Sequence, residues 1–433
     1  MKKFYNTLFI LSPWFILLGM LQTNFQKFLP YQEYFKGRYF FDFYTVTDIF
    51  MAFLIAVFFI GLVVKKTSFN KNKIPRELLI CVALLFIAGA IQILFQKIYE
   101  PILTAPIEYF RSMILYPVVY ILLIFKTLDQ KTINSLVISY ILMIAIFCAA
   151  ALAQYFFKIF SGVQYDFMGR LVWPYIDFVT LKWQSANWIA FFVTPGLIIS
   201  FIKTFNAIKS RKFNTEFYIF AVASMLSAIT IYFVQSYGAY AAIFAAIAVY
   251  LFRTLKFKYF LVALLCLILA AGGIYMIQKN SLKYKVLTGE QAYKYKTSTE
   301  ARTDIYKMDL YIIKNYPLMG AGLNQYQSFF SQNKQILGRD FNELTIPPHA
   351  HNFFLSFWTS LGIFGVAAML ILIIGIFWRI KFNPTTPALF ALIAIMTHGL
   401  IDSYYWKPEI AYTVWLVIAF SYLYNISFAR KIG

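Results

Sequence analysis

Charge is scarce along this chain. Asp, Glu, Lys and Arg make up only 13% of its 433 residues, about half the share found in soluble domains. Hydrophobic residues make up 61%, so too few polar side chains remain to cover a surface facing water. A soluble globular fold is excluded, and lipid must be part of the solvent. Cysteine is scarce as well. Cys81, Cys148 and Cys266 all fall inside apolar runs, which excludes a disulfide framework and a Cys-based metal site and leaves a packing role. No Walker-type glycine loop is present, which argues against ATP-driven pumping by this chain. No repeat recurs at periods of about 20–50 residues, and no low-complexity linker divides the chain. Residues 1–433 therefore read as one membrane domain.

What is abundant is apolar sequence in long runs. A membrane helix needs roughly 20 apolar residues. Candidate spans are Phe4–Leu21, Tyr44–Val64, Glu77–Phe95, Phe110–Phe125, Thr132–Phe157, Asn187–Ile202, Phe217–Gln235, Gly238–Phe252, Tyr259–Ile277, Asn352–Trp378, Pro387–Ser403 and Ile410–Asn425. An all-α polytopic protein with about 12 transmembrane helices follows. The first run lacks a small-residue cleavage site and is expected to stay as a span.

The formal net charge of +21 raises the question of nucleic acid, but the cations follow topology instead. With the N-terminus in the cytoplasm, Lys65, Lys66, Lys71, Lys73, Arg76, Lys203, Lys209, Arg211, Lys212, Arg253, Lys256 and Lys258 lie inside. Lys2, Lys3, Lys126, Lys131, Arg379, Lys381, Arg430 and Lys431 join them. Roughly 20 cations inside against about 9 in the short outer loops and span ends obey the positive-inside rule. Both termini are expected in the cytoplasm.

The longest outer loop runs from Gln278 to Ala350 and carries its chemistry through residue 351. A loop of this length is functional or carries structure of its own. Ser298–Asn315 has helical spacing, with Ile305, Met308, Tyr311 and Ile312 on one side. The reading is an amphipathic helix lying on the outer membrane face. Pro317 ends it, and Gly320-Ala321-Gly322 forms a turn.

Here the residues carry a resemblance. The run ARTDIYKMDLYIIKNYPLMGAGLNQY, followed by HAHNFFLSFWTSLGIFG, resembles the signature of the O-antigen ligase and polymerase superfamily. The stretch from Arg302 to Gly365 carries the specific match. GRLVWPYIDFVTLKWQSANWIAFFVTPG and THGLIDSYYWKPEIAYTVW resemble further family segments more loosely, and Asp48 stands where such proteins often place an Asp. The resemblance implies a GT-C-like membrane fold with a large periplasmic loop in a bacterial inner membrane. It implies a glycosyltransferase whose donor is a glycan on polyprenyl diphosphate. The acceptor hydroxyl belongs to a lipid A core sugar in the ligases and to another lipid-linked repeat in the polymerases. Neither a nucleotide sugar nor a metal is implied, so no cofactor is expected.

The residues can also be weighed on their own physics. Such a transfer needs a base and positive charge for the departing diphosphate. His suits a base near neutral pH, and the chain has three: His349, His351 and His398. His351 occupies the family's His-Asn position with Asn352, which makes it the candidate base with His349 beside it. The plainer reading is a hydrogen-bonded cap at the start of a span. A His-x-His pair can also bind metal, but no carboxylate or Cys sits at a fitting sequence spacing, so none is expected. Arg pairs bidentately with phosphate. Arg302 is the first candidate, Arg170 the second and Arg111 the third. For Arg302 the alternative is a solvated residue near Glu300, and for Arg111 a snorkelling anchor.

One departure stands out. Many ligases of this family carry Ser-Arg-Gly at the outer end of a middle span, whereas this chain has Ser236-Tyr237-Gly238. Arg170, Arg111 or a loop Lys is left to supply the charge. His398 and Asp402 stand four apart on one helix face and read either as support for the site or as an interhelical hydrogen bond. Asp48 carries the same two readings, with a role facing the acceptor as the functional one. Trp173, Tyr175, Trp183, Tyr404 and Tyr405 read as belt residues or as sugar-stacking platforms. A transporter of lipid-linked sugar remains the competing class, with sites expected at mid-membrane. The polar residues cluster at outer loops and span ends instead.

Overall fold

The computed structural model describes residues 2–21, 46–64, 74–95, 105–158, 166, 168–177, 180–281, 283–285, 298–338, 347, 349–380 and 386–432. The cations expected inside at Lys65, Lys66, Lys71, Lys73 and Lys381 lie outside the described residues, as do the side chains of Glu300, Trp173, Tyr175 and Trp183.

The helices follow the apolar runs. They are α1 (Lys2–Leu21), α2 (Val46–Val63), α3 (Arg76–Phe95), α4 (Ala105–Phe110), α5 (Tyr116–Thr127), α6 (Gln130–Phe157), α7 (Ala186–Lys209), α8 (Thr215–Val234), α9 (Tyr237–Thr254) and α10 (Phe257–Gln278). Beyond them come α11 (Ser298–Asn315), α12 (Tyr326–Gln332), α13 (Phe353–Arg379), α14 (Pro387–Gly399) and α15 (Pro408–Ile432). A π-helical stretch, Arg111–Leu115, joins α4 to α5 into one span. Nine helices among the described residues are long and apolar enough to cross a membrane. The three remaining expected spans correspond to α1, α14 and α15, which fall outside that measure. The membrane body is all-helical. A two-stranded antiparallel hairpin, β1 (Trp173–Asp177) with β2 (Thr180–Gln184), stands between α6 and α7 as a small addition to this all-α fold.

Short polar residues mark the helix starts. Asp129 accepts the backbone N–H of Thr132 at 2.9 Å, and Asn214 accepts that of Phe217 at 3.1 Å. Ser236 does the same for Ala239 at 3.4 Å, which separates α8 from α9. The burial pattern then sorts the helices. Residues Ile410–Leu423 of α15 are buried on every side, so this helix is a core element. By contrast, Leu261, Val262, Leu265 and Leu269 of α10 are exposed, as lipid-facing residues would be. Cys266 shares that exposed face, while Cys81 and Cys148 are buried.

The outer loop corrects an expectation. Ile305, Met308 and Ile312 of α11 do not lie on a membrane surface. They are buried against Tyr326, Phe329, Phe330, Ala321 and Ala350 in a small core of their own. The cap so formed is bolted to the bundle by the 317–322 turn. Ala321 donates its backbone N–H to Thr359 O at 2.6 Å, Ile363 donates to Pro317 O at 2.9 Å, and Gln92 Nε2 donates to Met319 O at 2.6 Å. That docking breaks α13 at Gly362, whose φ is 66°. A Cβ there would sit 1.7 Å from Leu318 O, so only glycine fits.

Candidate active site

The polar residues gather at one end of the bundle, where α6, α8, α10 and α14 finish and α7, α9 and α13 begin. Asn352 starts α13. Its Oδ1 accepts the backbone N–H groups of Phe354 at 2.9 Å and Leu355 at 3.1 Å. Its Nδ2 donates to Leu400 O at 3.0 Å, tying the start of α13 to the end of α14. The capping expected of His351 is thus done by its neighbour, and the His351 side chain pairs elsewhere.

His351 Nδ1 lies 2.7 Å from Asp402 Oδ1. Asp402 is 4% exposed. Its Oδ1 also accepts the N–H of Ser403 at 2.8 Å, and its Oδ2 accepts Asn187 Nδ2 at 2.9 Å. Burial alone would raise the Asp402 carboxyl. The hydrogen bond from His351 and the charges of the three His side chains outweigh it and hold the group well below the usual carboxylate range. An ionised carboxylate only accepts, so Nδ1 of neutral His351 carries the proton and Nε2 keeps its lone pair. The His351 side chain is 27% exposed, which leaves it reachable. Tyr306 of α11 donates to His351 O at 3.2 Å, and Ser356 and Ser403 both donate to Ala350 O, so the 349–352 segment is held from three sides.

Of the other two His residues, His398 is buried and His349 half-buried. His349 packs its ring 5.2 Å from that of His351. Burial and the His351 charge push its imidazole down to about 4, against the pull of Asp402. α14 ends at Gly399, so Asp402 stands just past the helix that carries His398. The Asp402 N–H still bonds to His398 O at 3.0 Å. The His398 ring sits 4.4 Å from Phe191 and fills the space that a Cβ on Gly238 would take, 2.8 Å from Nε2.

Charge surrounds this centre. Arg302 lies within electrostatic reach of Tyr306, His398 and Lys283. Arg170 pairs with Asp166 at 2.7 Å, and the adjoining Leu171 N–H is pinned to Phe233 O at the end of α8. Arg111 goes elsewhere: it lies 4.0 Å from Asp48, with both side chains largely buried. It forms a buried ion pair near the start of a candidate span and is not the exposed anchor considered for it. Tyr404 and Tyr405 are fully buried, with Tyr405 donating to Met113 O at 2.6 Å, so they are neither belt nor sugar platform.

Three residues escaped the sequence reading. Asp309 is buried, accepts Tyr326 OH at 2.6 Å and faces the His351 charge. Burial pushes its carboxyl up to about 7, against the Tyr326 hydrogen bond and the His351 charge. Its signal was its place in the 305, 308, 312 stripe, where an acid has no business without a partner. Asn187 was seen only as a landmark, and Lys283 as one loop lysine among many. Folding also supplies a carboxylate that sequence spacing did not offer. His349, His351 and Asp402 bring one ligand atom each within 4.8 Å of one another. The trio has the donor set of a three-residue metal site, so the sequence ground for expecting no metal falls away.

Residues 222–371 match the family model described as O-antigen ligase. This match supports the O-antigen ligase/polymerase superfamily for that part of the chain. Comparison with curated proteins gives no match. The superfamily match covers about a third of the chain and takes in Tyr237, Lys283, Arg302 and His351. Arg170, Asn187, His398 and Asp402 lie outside it and join the site through the fold.

Proposed function

We propose that this protein is an O-antigen ligase-type glycosyltransferase at the outer face of a bacterial inner membrane, with both termini cytoplasmic. The donor is a glycan on polyprenyl diphosphate. The observation that carries the reading is the His351–Asp402 pair at 2.7 Å. Asp402 fixes the tautomer and steadies the positive charge that forms on the ring. The acceptor hydroxyl gives its proton to His351 Nε2 as its oxygen bonds to the anomeric carbon. The bond from that carbon to the diphosphate breaks, and the electron pair leaves with the diphosphate. Arg302 offers a planar fork to the departing oxygens, and developing charge is what fixed cations stabilise best. Asn352 and Asn187 hold the two halves of the dyad without touching substrate.

The test is release of polyprenyl diphosphate from a lipid-linked glycan by the purified protein in a bilayer mimic, with candidate acceptors. Wild type should release it, and His351→Ala should lower the rate by about 10²–10⁴-fold, the usual worth of a general base. Asp402→Asn should fall into the same range, and chelation should leave wild type unchanged. Equal release by wild type and His351→Ala would remove His351 as the base. No release with any acceptor would turn the reading to a transporter. Product mass separates ligation from chain extension.

A further inference from the structure

Ser236-Tyr237-Gly238 lacks an arginine, yet the space it borders does not lack a cation. Lys283, from the short segment after α10, places its ammonium 4.3 Å over the Tyr237 ring and donates to Gln235 O. It is only 7% exposed. The three residues divide the labour: Ser236 caps α9, Gly238 makes room for His398, and Tyr237 seats the lysine. The charged groups facing Lys283 are Arg170, Asp166 and Arg302, with the His398 ring also in electrostatic reach. Asp166 is already engaged by Arg170. Among the described groups that act on Lys283, three cations against one acid leave a positive excess, and a buried excess calls for an anion.

Directly beneath lies a cavity of about 380 Å³, the size of a ligand site. Its walls come from α7, α8, α9 and α10 and include Ile231, Ile243, Phe244, Leu267 and Ile274. Tyr237, Tyr240 and Gln278 close its polar end, where Gln278 donates to Tyr240 OH at 2.9 Å. The outer wall, α10, shows its apolar side chains to the exterior. An apolar groove next to the membrane, ending under a cluster of cations, is complementary to an anionic lipid lying head-up.

We infer that Lys283 takes the place of the missing arginine: with Arg302 and Arg170 it binds the diphosphate of a polyprenyl lipid whose isoprenoid chain enters the groove between α8, α9 and α10. The inference rests on the donor class proposed above. Burial and the Arg170 and Arg302 charges push the Lys283 ammonium down to about 7, with Asp166 resisting. A neutral amine does not attract phosphate, so the site loosens as pH rises through that value.

The experiment is binding by the full-length protein in detergent, with three probes: a long-chain polyprenyl diphosphate, the polyprenol of the same length, and inorganic pyrophosphate. Lys283→Gln should weaken the lipid diphosphate by about tenfold or more and leave polyprenol unchanged. Lys283→Arg should keep the affinity of wild type. Ile243→Trp, which fills the groove, should weaken both lipids and leave pyrophosphate unchanged. Wild-type affinity for the lipid diphosphate should fall between pH 6.5 and 8.5, whereas that of Lys283→Arg should not. Wild-type binding by Lys283→Gln, or pyrophosphate bound as tightly as the lipid, overturns the inference. Should Lys283→Gln bind no polyprenol either, the pH profiles of wild type and Lys283→Arg decide, and matching profiles overturn it. Binding without transfer to any acceptor would sink the proposed reaction and leave this site standing. Transfer that ignores Lys283→Gln would sink the site and leave the reaction.

Discussion

A general base needs a lone pair, and the hydrogen bond behind His351 decides which nitrogen has one. Asp402 could be seen in the sequence as an acid near the end of a span, and His351 as part of a motif. Their contact could not, since 51 residues separate them and no periodicity reaches that far. The same holds for Lys283, whose role comes from Tyr237 lying under it. Arg302 is a sharper case, because its type and place were both legible. Arg302→Lys keeps the charge and loses the fork. Turnover should drop by about tenfold, or about 1.4 kcal/mol of barrier, and unchanged turnover would take Arg302 out of the site. Asp309 is a buried carboxyl whose titration is coupled to folding. Its folded pKa of about 7 lies above the unfolded value, so the folded state holds the proton longer. Stability from this group is present at low pH and lost as pH rises from about 4 through 7. Asp309→Asn should therefore gain in melting temperature relative to wild type more at pH 8 than at pH 5. An equal gap at both would show that Asp309 does not titrate with folding.

At the level of elements, hydrophobic runs gave the helices because the bilayer leaves the backbone no other choice. What they could not give was the helix breaks. The π-helical Arg111–Leu115 and the kink at Gly362 sit inside unbroken apolar sequence. The α11 stripe is amphipathic, as its spacing predicts, but its cover is protein and not the membrane. Periodicity states which face seeks cover, and only α12 and Ala350 say that protein supplies it. Gly362 and Gly169 both hold positive φ, at 66° and 73°. A Cβ at Gly169 meets nothing within 4 Å, whereas one at Gly362 meets Leu318 O. Gly169→Ala should thus cost only the left-handed backbone penalty, about 1–2 kcal/mol. Gly362→Ala should lower the thermal midpoint by several times as much. Equal shifts would show that the 317–322 turn does not press on α13.

For the whole molecule, orientation comes from charge. The site end of the bundle is the one expected outside by the positive-inside rule. Lys307 is exposed on α11, and Lys307→Cys should react with an impermeant thiol reagent added to intact cells. Labelling only after the cytoplasmic side is opened would invert the topology. α13 does not run straight from one end of the bundle to the other, because it is broken at Gly362. Residues 353–361 pack into the bundle through Phe353, Phe357 and Leu361, and beyond Gly362 the helix runs on to Arg379, which meets Glu77 at 3.1 Å. A straight helix would carry any tilt of the cap down to that pair. A broken one lets its two parts point in separate directions, so the start of α13 is aimed at the His351–Asp402 pair independently of where Arg379 is anchored.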